Sequence, residues 1–251
     1  MTPYYDHAGI VIYHGDCREI LPTLPKVDLV LTDPPYSEYT HKNAKSNRGL
    51  GYGNKAIDFK AIDFKAIDGL LRELGGKCDH WFVSTLDWHH IAELERNTPK
   101  PWEFVRFGVW VKTNPMPQIS ADRPANGWEG IAYLHNTATK KAWRGGGAHG
   151  NWIGPVLTDG AHPTGKPIGF ISSTVRRFSE ENGLILDPFM GSGTTLVAAK
   201  QLNRRAIGIE IEEKYAEIAA KRLEQEVFDF GLAPEETPEQ QSLLGCEEGA
   251  S

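Results

Sequence analysis

Residues 184–212 read LILDPFMGSGTTLVAAKQLNRRAIGIEIE and predict a strand, a glycine turn, a helix and a second strand in immediate succession. Leu184–Leu186 is an apolar run of strand length, Thr194–Leu202 has a helical pattern, and Ala206–Ile211 is again apolar. A strand, a helix and a strand in this order form one unit of a parallel sheet. The stretch therefore predicts an α/β fold.

The same alternation extends toward the N-terminus. Apolar runs predict further strands at Ile10–His14, Val27–Thr32, Trp81–Thr85, Phe104–Val111 and Gly130–Leu134. Helices are expected at Trp88–Arg96, Pro167–Phe178 and Glu213–Gln225. Strands alternating with helices predict a doubly wound, mostly parallel sheet with its functional loops at the carboxyl ends of the strands.

The length of 251 residues and the 40% hydrophobic content suit one domain, which we place at residues 1–230. From about 113 to 161 the chain is rich in Gly, Asn, Pro and Trp, which indicates a functional insertion. Residues 231–251 are acidic and predicted to be a disordered tail. We assign no function to the short repeat at residues 56–68.

The formal charge of −6 is concentrated near the C-terminus, because Glu226 to Ser251 holds seven acids and no Lys or Arg. The remainder carries 27 basic and 26 acidic residues, so charge neither supports nor excludes DNA binding. No run of 18 uncharged apolar residues predicts a membrane span, and the N-terminus lacks a signal-peptide pattern. Three widely separated cysteines favour a reducing cytoplasm and argue against zinc.

The predicted strand Val27–Thr32 leads into Asp33-Pro34-Pro35-Tyr36. The two prolines fix φ and remove two backbone donors, so the turn is rigid and extended. A carboxylate, proline carbonyls and a flat ring suit a planar ligand that bears an amino group, such as a nucleobase. Taken alone, the tetrapeptide is also compatible with an ordinary turn.

The turn at Asp187–Thr195 offers a second ligand site. Its glycines let backbone approach a ligand, and the helix N-terminus offers free N–H groups. Glu210 follows Gly193 by 17 residues, near the spacing at which an acid accepts hydrogen bonds from ribose hydroxyls. The chain lacks the phosphate-binding Gly-x-x-x-x-Gly-Lys-Ser/Thr pattern, which argues against an ATP site. A structural glycine turn with a surface glutamate is the alternative.

A third segment, His162-Pro163-Thr164-Gly165-Lys166-Pro167, reads by itself as a turn before a helix. The three segments in this order resemble the β-class (permuted) amino-methyltransferases of DNA, the N6-adenine/N4-cytosine DNA methylase family. The resemblance spans roughly residues 10 to 225 and includes Gly15–Cys17 and Trp110–Asn114. It implies a Rossmann-like S-adenosylmethionine-dependent methyltransferase fold with circularly permuted motif order, and target recognition within 113–161.

The resemblance also implies residue roles. The target base leaves the duplex and stacks on Tyr36, while Asp33 and the carbonyl of Pro34, held by Pro35, accept its amino hydrogens. In the cofactor site, Asp187 faces the methionyl ammonium, Glu210 the ribose, Asp16 the adenine amino group and Lys166 the carboxylate. The remaining cofactor residues are His162, Thr164, Phe189, Gly191, Ser192, Gly193 and Thr194. No metal is required. Basic residues predicted to bind DNA are Lys42, Lys45, Arg48, Lys140, Lys141 and Arg144.

The partner implied is double-stranded DNA, with no membrane, in a cytoplasmic protein of bacterial or phage origin; a homodimer and a restriction endonuclease partner are compatible with the family. Within it, an Asp at position 33 goes mainly with adenine-N6 and a Ser with cytosine-N4, so Asp33 favours adenine. A nicotinamide- or flavin-dependent oxidoreductase is an alternative that leaves the proline turn unexplained. A catalytically inactive nucleic-acid-binding module is a third.

Overall fold

The computed structural model describes residues 2–36, 62–115, 117, 122–156 and 166–224. Predictions that lie outside the described residues concern Lys42, Lys45, Arg48, His162, Thr164 and the tail 231–251. Among the described helices, none is long and apolar enough to cross a membrane.

Nine strands and six α-helices are described. The strands are β1 (Tyr5–His7), β2 (Ile10–His14), β3 (Val27–Thr32), β4 (Cys78–Leu86), β5 (Trp102–Lys112), β6 (Trp128–Asn136), β7 (Asn151–Gly154), β8 (Leu184–Asp187) and β9 (Arg205–Glu210). The helices are α1 (Cys17–Ile20), α2 (Phe64–Leu74), α3 (Trp88–Arg96), α4 (Ile168–Phe178), α5 (Thr194–Gln201) and α6 (Glu213–Glu224), with a 3-10 turn at Leu21–Thr23 after α1. The strands and helices predicted above are confirmed to within a few residues, and α1, α2, β1 and β7 lie outside the ranges given there.

The strands form one sheet in the order β1-β2-β9-β8-β3-β4-β6-β5-β7. Strands β2, β9, β8, β3 and β4 run parallel to one another, whereas β6 is antiparallel to both of its neighbours and β1 is antiparallel to β2. The mostly parallel, doubly wound α/β sheet is therefore confirmed, with two reversed strands, β6 and the edge strand β1.

Helices cover both faces of the sheet, which explains why its central strands are mostly apolar. On one face, Leu29 and Leu31 of β3 pack with residues of α4, α5 and α6. On the other, Val30 of β3 packs with residues of α1, α2 and α3. The exception in β3 is Asp28, whose carboxylate accepts a hydrogen bond from the Leu184 amide at 2.7 Å. A strand buried on both sides reads as a continuous apolar run.

The stretch 113–161, predicted as an insertion, contains two strands of the sheet, β6 and β7. Because β6 is antiparallel to β4 and β5, β5 ends and β6 begins at the same edge as the carboxyl ends of β3 and β4. The connection from β6 to β7 begins at the opposite edge of the sheet, where the amino ends of β3 and β4 lie. The last residues of the 56–68 repeat belong to α2.

Candidate active site at the carboxyl edge of the sheet

The neighbouring strands β3 and β8 end side by side at the centre of the sheet. From β3 the chain continues through α2 to β4, and from β8 through α5 to β9 on the other side. This divergence creates a crevice beyond the carboxyl ends, the usual ligand position in such sheets. The hydroxyl of Thr32 donates to a carboxylate oxygen of Asp187 at 2.8 Å, so the proline turn and the glycine turn meet there.

Asp33 is held by two donors from other elements. The register of β3 and β4 pairs Thr32 with Ser84, which brings the hydroxyl of Thr85 to one carboxylate oxygen of Asp33. The ammonium of Lys166, just before α4, contacts the other oxygen. The Asp33 side chain remains 29% exposed, so a ligand in the crevice can reach it.

Tyr36 is positioned by a residue that sequence reasoning missed. Its hydroxyl donates to Oε2 of Glu129 on β6 at 2.8 Å. The other oxygen of Glu129 lies 2.7 Å from Nζ of Lys112, and Oε2 lies 3.3 Å from Nζ of Lys166. The only sequence signal was the family-like segment Trp110–Asn114, which contains Lys112 but gives no indication of Glu129.

The charges of this group stabilise one another. Burial disfavours ionised Glu129, but the ammonium groups of Lys166 and Lys112 outweigh it and lower its pKa. Burial likewise disfavours protonated Lys166, and the carboxylates of Asp33 and Glu129 outweigh it and raise its pKa. Burial, together with the same two carboxylates, raises the pKa of Tyr36 well above its usual value, so the phenol stays a donor.

Two residues of the glycine turn need backbone that only glycine adopts freely. Gly191 and Gly193 have φ of +52° and +80°, and a Cβ on Gly193 would lie 2.7 Å from Cβ of Ala219 on α6. The amide of Gly191 donates to Oε2 of Glu210 at 3.0 Å, and the amide of Glu212 donates to Oε1 at 2.9 Å. Glu210 thus anchors the turn and is itself 7% exposed.

Asp187 is 3% exposed and accepts hydrogen bonds from the hydroxyl of Thr32 and, at 3.2 Å, from the amide of Phe189. Thr195 is a third donor. All three partners are neutral. Burial therefore prevails and raises the pKa of Asp187 to about 6. A cationic ligand in the crevice would offset this cost.

The other predicted cofactor residues occupy defined places. Asp16 follows β2, whose end pairs with Glu210 of β9, so it lies at this edge; its carboxylate caps α1 and pairs with Arg18. The hydroxyls of Ser192 and Thr194 accept hydrogen bonds from Arg222 of α6 at 3.1 and 3.3 Å. The cofactor roles of these residues stay predictions.

The three basic residues after β6 lie away from this site. The segment that contains them follows the end of β6 at the opposite edge, where Trp81 Nε1 donates to the carbonyl of Ala142 at 2.9 Å. Lys141 pairs with Glu103 at 2.9 Å, and Arg144 pairs with Glu180. This position does not support a DNA surface shared by Lys140, Lys141, Arg144 and Asp33.

The raised pKa of Asp187 predicts how the stability of the fold depends on pH. The folded protein binds this proton more tightly than the unfolded chain, so the group's stabilising contribution is complete below about pH 4 and is lost as the pH rises to 6. Asp187→Asn removes that loss. At pH 8 we expect the ligand-free variant to be more stable than the wild type by up to about 3 kcal/mol, and therefore to unfold at a higher temperature. At pH 4 we expect the two unfolding temperatures to be similar.

Thermal unfolding followed by circular dichroism at the two pH values tests this. Asp79→Asn is the matched control, because Asp79 is an exposed acid paired with Lys26 at 3.0 Å. An equal difference between Asp187→Asn and wild type at both pH values would contradict the assignment of a raised pKa to Asp187.

Comparison with known proteins finds similarity to DNA methyltransferases. A DNA methylase family model (N6/N4 methyltransferases) matches residues 133–221. The type II methyltransferase M2.DpnII of Streptococcus pneumoniae is 29% identical over 253 residues, covering 89% of this chain and 93% of its own. The type II methyltransferase M.HinfI of Haemophilus influenzae is 28% identical over 246 residues, covering 85% of this chain and 68% of its own.

Solved structures agree with the fold. The M1.HpyAVI–SAM complex superposes with a TM-score of 0.66 and 26% identity, covering 85% of this chain and 99% of that one. The PvuII DNA methyltransferase, titled cytosine-N4-specific, has a TM-score of 0.70 with 17% identity and 90% coverage of both chains, which shows the fold alone. Fold and site thus define a Rossmann-like methyltransferase. The chain is similar to the N6/N4 DNA methylases over residues 133–221, and together with its type II relatives this identifies it as an S-adenosylmethionine-dependent DNA methyltransferase.

Proposed function

We propose that the protein transfers the methyl group of S-adenosylmethionine to the exocyclic N6 amino group of adenine within a specific DNA sequence. The observation that carries this proposal is the contact of Thr32 with Asp187 at 2.8 Å, which joins the Asp33–Tyr36 turn to the glycine turn at one edge. The β-class, permuted motif order is part of the proposal, because the Asp33 motif precedes the glycine turn in the chain.

The acceptor side would work through Asp33, Pro34 and Tyr36. Removing the base from the duplex costs a few kcal/mol, which stacking on Tyr36 helps to offset. An exocyclic amine is a poor nucleophile because its lone pair is delocalised into the ring. Hydrogen bonds from both amino hydrogens to Asp33 and to the Pro34 carbonyl favour the pyramidal amine and stabilise the positive charge that develops on nitrogen. The nitrogen gains the methyl group and releases one proton.

The donor side would be held by the glycine turn and the acids around it. S-adenosylmethionine supplies a methyl group on a sulfonium and leaves as S-adenosylhomocysteine. Asp187, buried among neutral donors, suits its ammonium group. Glu210 is fixed by two backbone amides and has lone pairs left for ribose hydroxyls. The other cofactor residues proposed are Asp16, His162, Thr164, Phe189, Gly191, Ser192, Gly193 and Thr194. Lys166 is also predicted to face the cofactor carboxylate, although in this structure its ammonium contacts Asp33 and Glu129.

Cytosine-N4 is the second candidate acceptor, since the same chemistry serves both bases. Asp33 supports adenine through the family pattern. Methyl transfer from labelled S-adenosylmethionine to unmethylated duplex DNA, followed by chromatography of the nucleosides, tests the proposal. We expect labelled N6-methyladenine and no inhibition by NAD. Labelled N4-methylcytosine would overturn the choice of base, and absence of transfer together with NAD binding would favour an oxidoreductase.

Double-stranded DNA is the substrate in this proposal, and a restriction endonuclease and a second copy of the chain are proposed partners. The type II relatives support the endonuclease. We keep one domain at residues 1–230 with target recognition at about 113–161, a stretch that begins directly after β5 beside the site. The segment 37–61 is a second candidate, because its described flanks meet beside the site, where the Ile62 amide donates to the Tyr36 carbonyl at 3.4 Å.

The connection 37–61 contains Lys42, Lys45 and Arg48. Changing these three to Gln should weaken DNA binding and reduce the slope of log affinity against log salt by up to about 2–3, since each neutralised phosphate contributes about 0.9. Fluorescence anisotropy with a labelled duplex over a salt series measures both. The control makes the same charge change at Lys140, Lys141 and Arg144, at the opposite edge. A larger effect of the control triple would place the DNA there.

A further inference from the structure

A compact group of charges connects the two halves of the proposed acceptor site. The ammonium of Lys166 contacts both Asp33 and Glu129, and its side chain is 8% exposed. Lys112 completes the group through Glu129 at 2.7 Å. Two carboxylates thus face two ammonium groups, so the buried charge is balanced without a ligand. A buried charge in such an arrangement becomes destabilising when it loses its last partner.

Each carboxylate oxygen of Asp33 already has one partner in this structure. One oxygen accepts from Thr85 and the other faces Lys166. The amino group of a target base needs an oxygen of Asp33, and a positive charge develops on that amine during methyl transfer. An ammonium at the same oxygen competes for its lone pairs and repels the developing charge. Separation of Lys166 from Asp33 would free that oxygen for the amino group and remove the repulsion.

Glu129 offers Lys166 an alternative partner. Its Oε2 is already 3.3 Å from Nζ of Lys166, so a small side-chain movement transfers the ammonium from one carboxylate to the other. The same oxygen accepts the hydroxyl of Tyr36 at 2.8 Å, which fixes the ring that would stack on the base. Lys112 keeps Glu129 ionised throughout.

We propose that Glu129 is a positioning residue of the methyl transfer: it orients Tyr36 and holds Lys166 while Asp33 receives the target amino group. This inference rests on the proposed function, because it takes Asp33 and Tyr36 as the residues that contact the base. Glu129 itself does not touch the reacting atoms. Its effect is to release Asp33 without leaving a buried ammonium unpaired.

Glu129→Gln tests the inference, since the amide can still accept from Tyr36 but no longer attracts Lys166. We expect kcat to fall about 10–100-fold, while the dissociation constant of S-adenosylmethionine stays within twofold of wild type. Adding Lys166→Met to this variant removes the competitor at Asp33. At saturating S-adenosylmethionine, the double variant should therefore regain at least a severalfold part of the lost kcat.

A role in folding alone would give no such rescue. If the two losses multiply in the double variant, or if Glu129→Gln keeps the wild-type kcat, the inference is overturned. Glu103→Gln is the matched control, because Glu103 pairs with Lys141 at the opposite edge. Should Glu129→Gln fail to fold, Glu129→Asp keeps the charge and withdraws the carboxylate from Tyr36. Its kcat should fall severalfold, and an unchanged value would equally refute the role.

These results are distinguishable from failure of the proposed function. Absence of methyl transfer to DNA by the wild-type protein would remove the proposed function, whatever the variants do. Transfer by the wild type with no effect of either Glu129 substitution would remove only the role of Glu129.

Discussion

Asp33→Ala should abolish methyl transfer, with a loss in kcat of at least about 10²–10³-fold, while S-adenosylmethionine still binds within severalfold of the wild-type dissociation constant. The alanine removes the carboxylate that would accept an amino hydrogen and stabilise positive charge on the amine. The fold should survive, because Lys166 keeps Glu129 as a partner and the Thr85 hydroxyl gains access to water in the crevice. Tritium transfer to DNA and calorimetric titration with the cofactor measure the two quantities.

The matched control is Asp79→Ala, which removes an exposed acid at the opposite edge and should change neither quantity. Equal losses of transfer and cofactor binding in Asp33→Ala would place Asp33 in the cofactor site and refute its contact with the base.

Glu210→Ala should produce the reverse pattern and raise the dissociation constant of S-adenosylmethionine about 10–100-fold. Two losses combine. The ribose hydroxyls lose their acceptor, and the amides of Gly191 and Glu212 lose the carboxylate that anchors the glycine turn. A buried donor left without a partner costs about 1–3 kcal/mol, so the turn should also become less ordered. Calorimetric titration gives the affinity directly.

Glu212→Ala serves as the control for Glu210→Ala, because its carboxylate is half exposed and lies 3.8 Å from Lys214. We expect near wild-type cofactor affinity for this variant. An unchanged dissociation constant in Glu210→Ala would refute the ribose assignment.

The central elements follow directly from the sequence, because burial dictates their composition. β3 spans Val27–Thr32 as predicted, since both of its faces are covered and the run is apolar almost throughout. Helix α3 begins at Trp88 as predicted, and Asp87 caps it by accepting from the amide of His90 at 3.1 Å. The short edge strands β1 and β7 were missed because three or four residues with one partner strand carry little pattern.

The candidate site likewise contains residues that the sequence predicts and residues that it does not. Asp33, Asp187 and Glu210 each follow or end a strand of the parallel part of the sheet, so the alternation of strands and helices predicts that they share an edge. Glu129 depends on the reversal of β6 between β4 and β5, which the sequence pattern does not show. The same reversal carries Lys141 to the opposite edge of the sheet, where it pairs with Glu103. The sequence alone shows only that basic residues cluster near Lys141, which is why DNA contact was predicted for them.

Mapping of modified bases at single-nucleotide resolution, after expression in cells that lack DNA methylation, reports the acceptor base, the modified atom and the recognition sequence together. We predict N6-methyladenine at one recurring sequence, and its loss in cells that express Asp33→Ala. N4-methylcytosine at the recurring sequence, or unmodified DNA in the presence of folded protein that binds S-adenosylmethionine, would contradict adenine methylation by the Asp33 site.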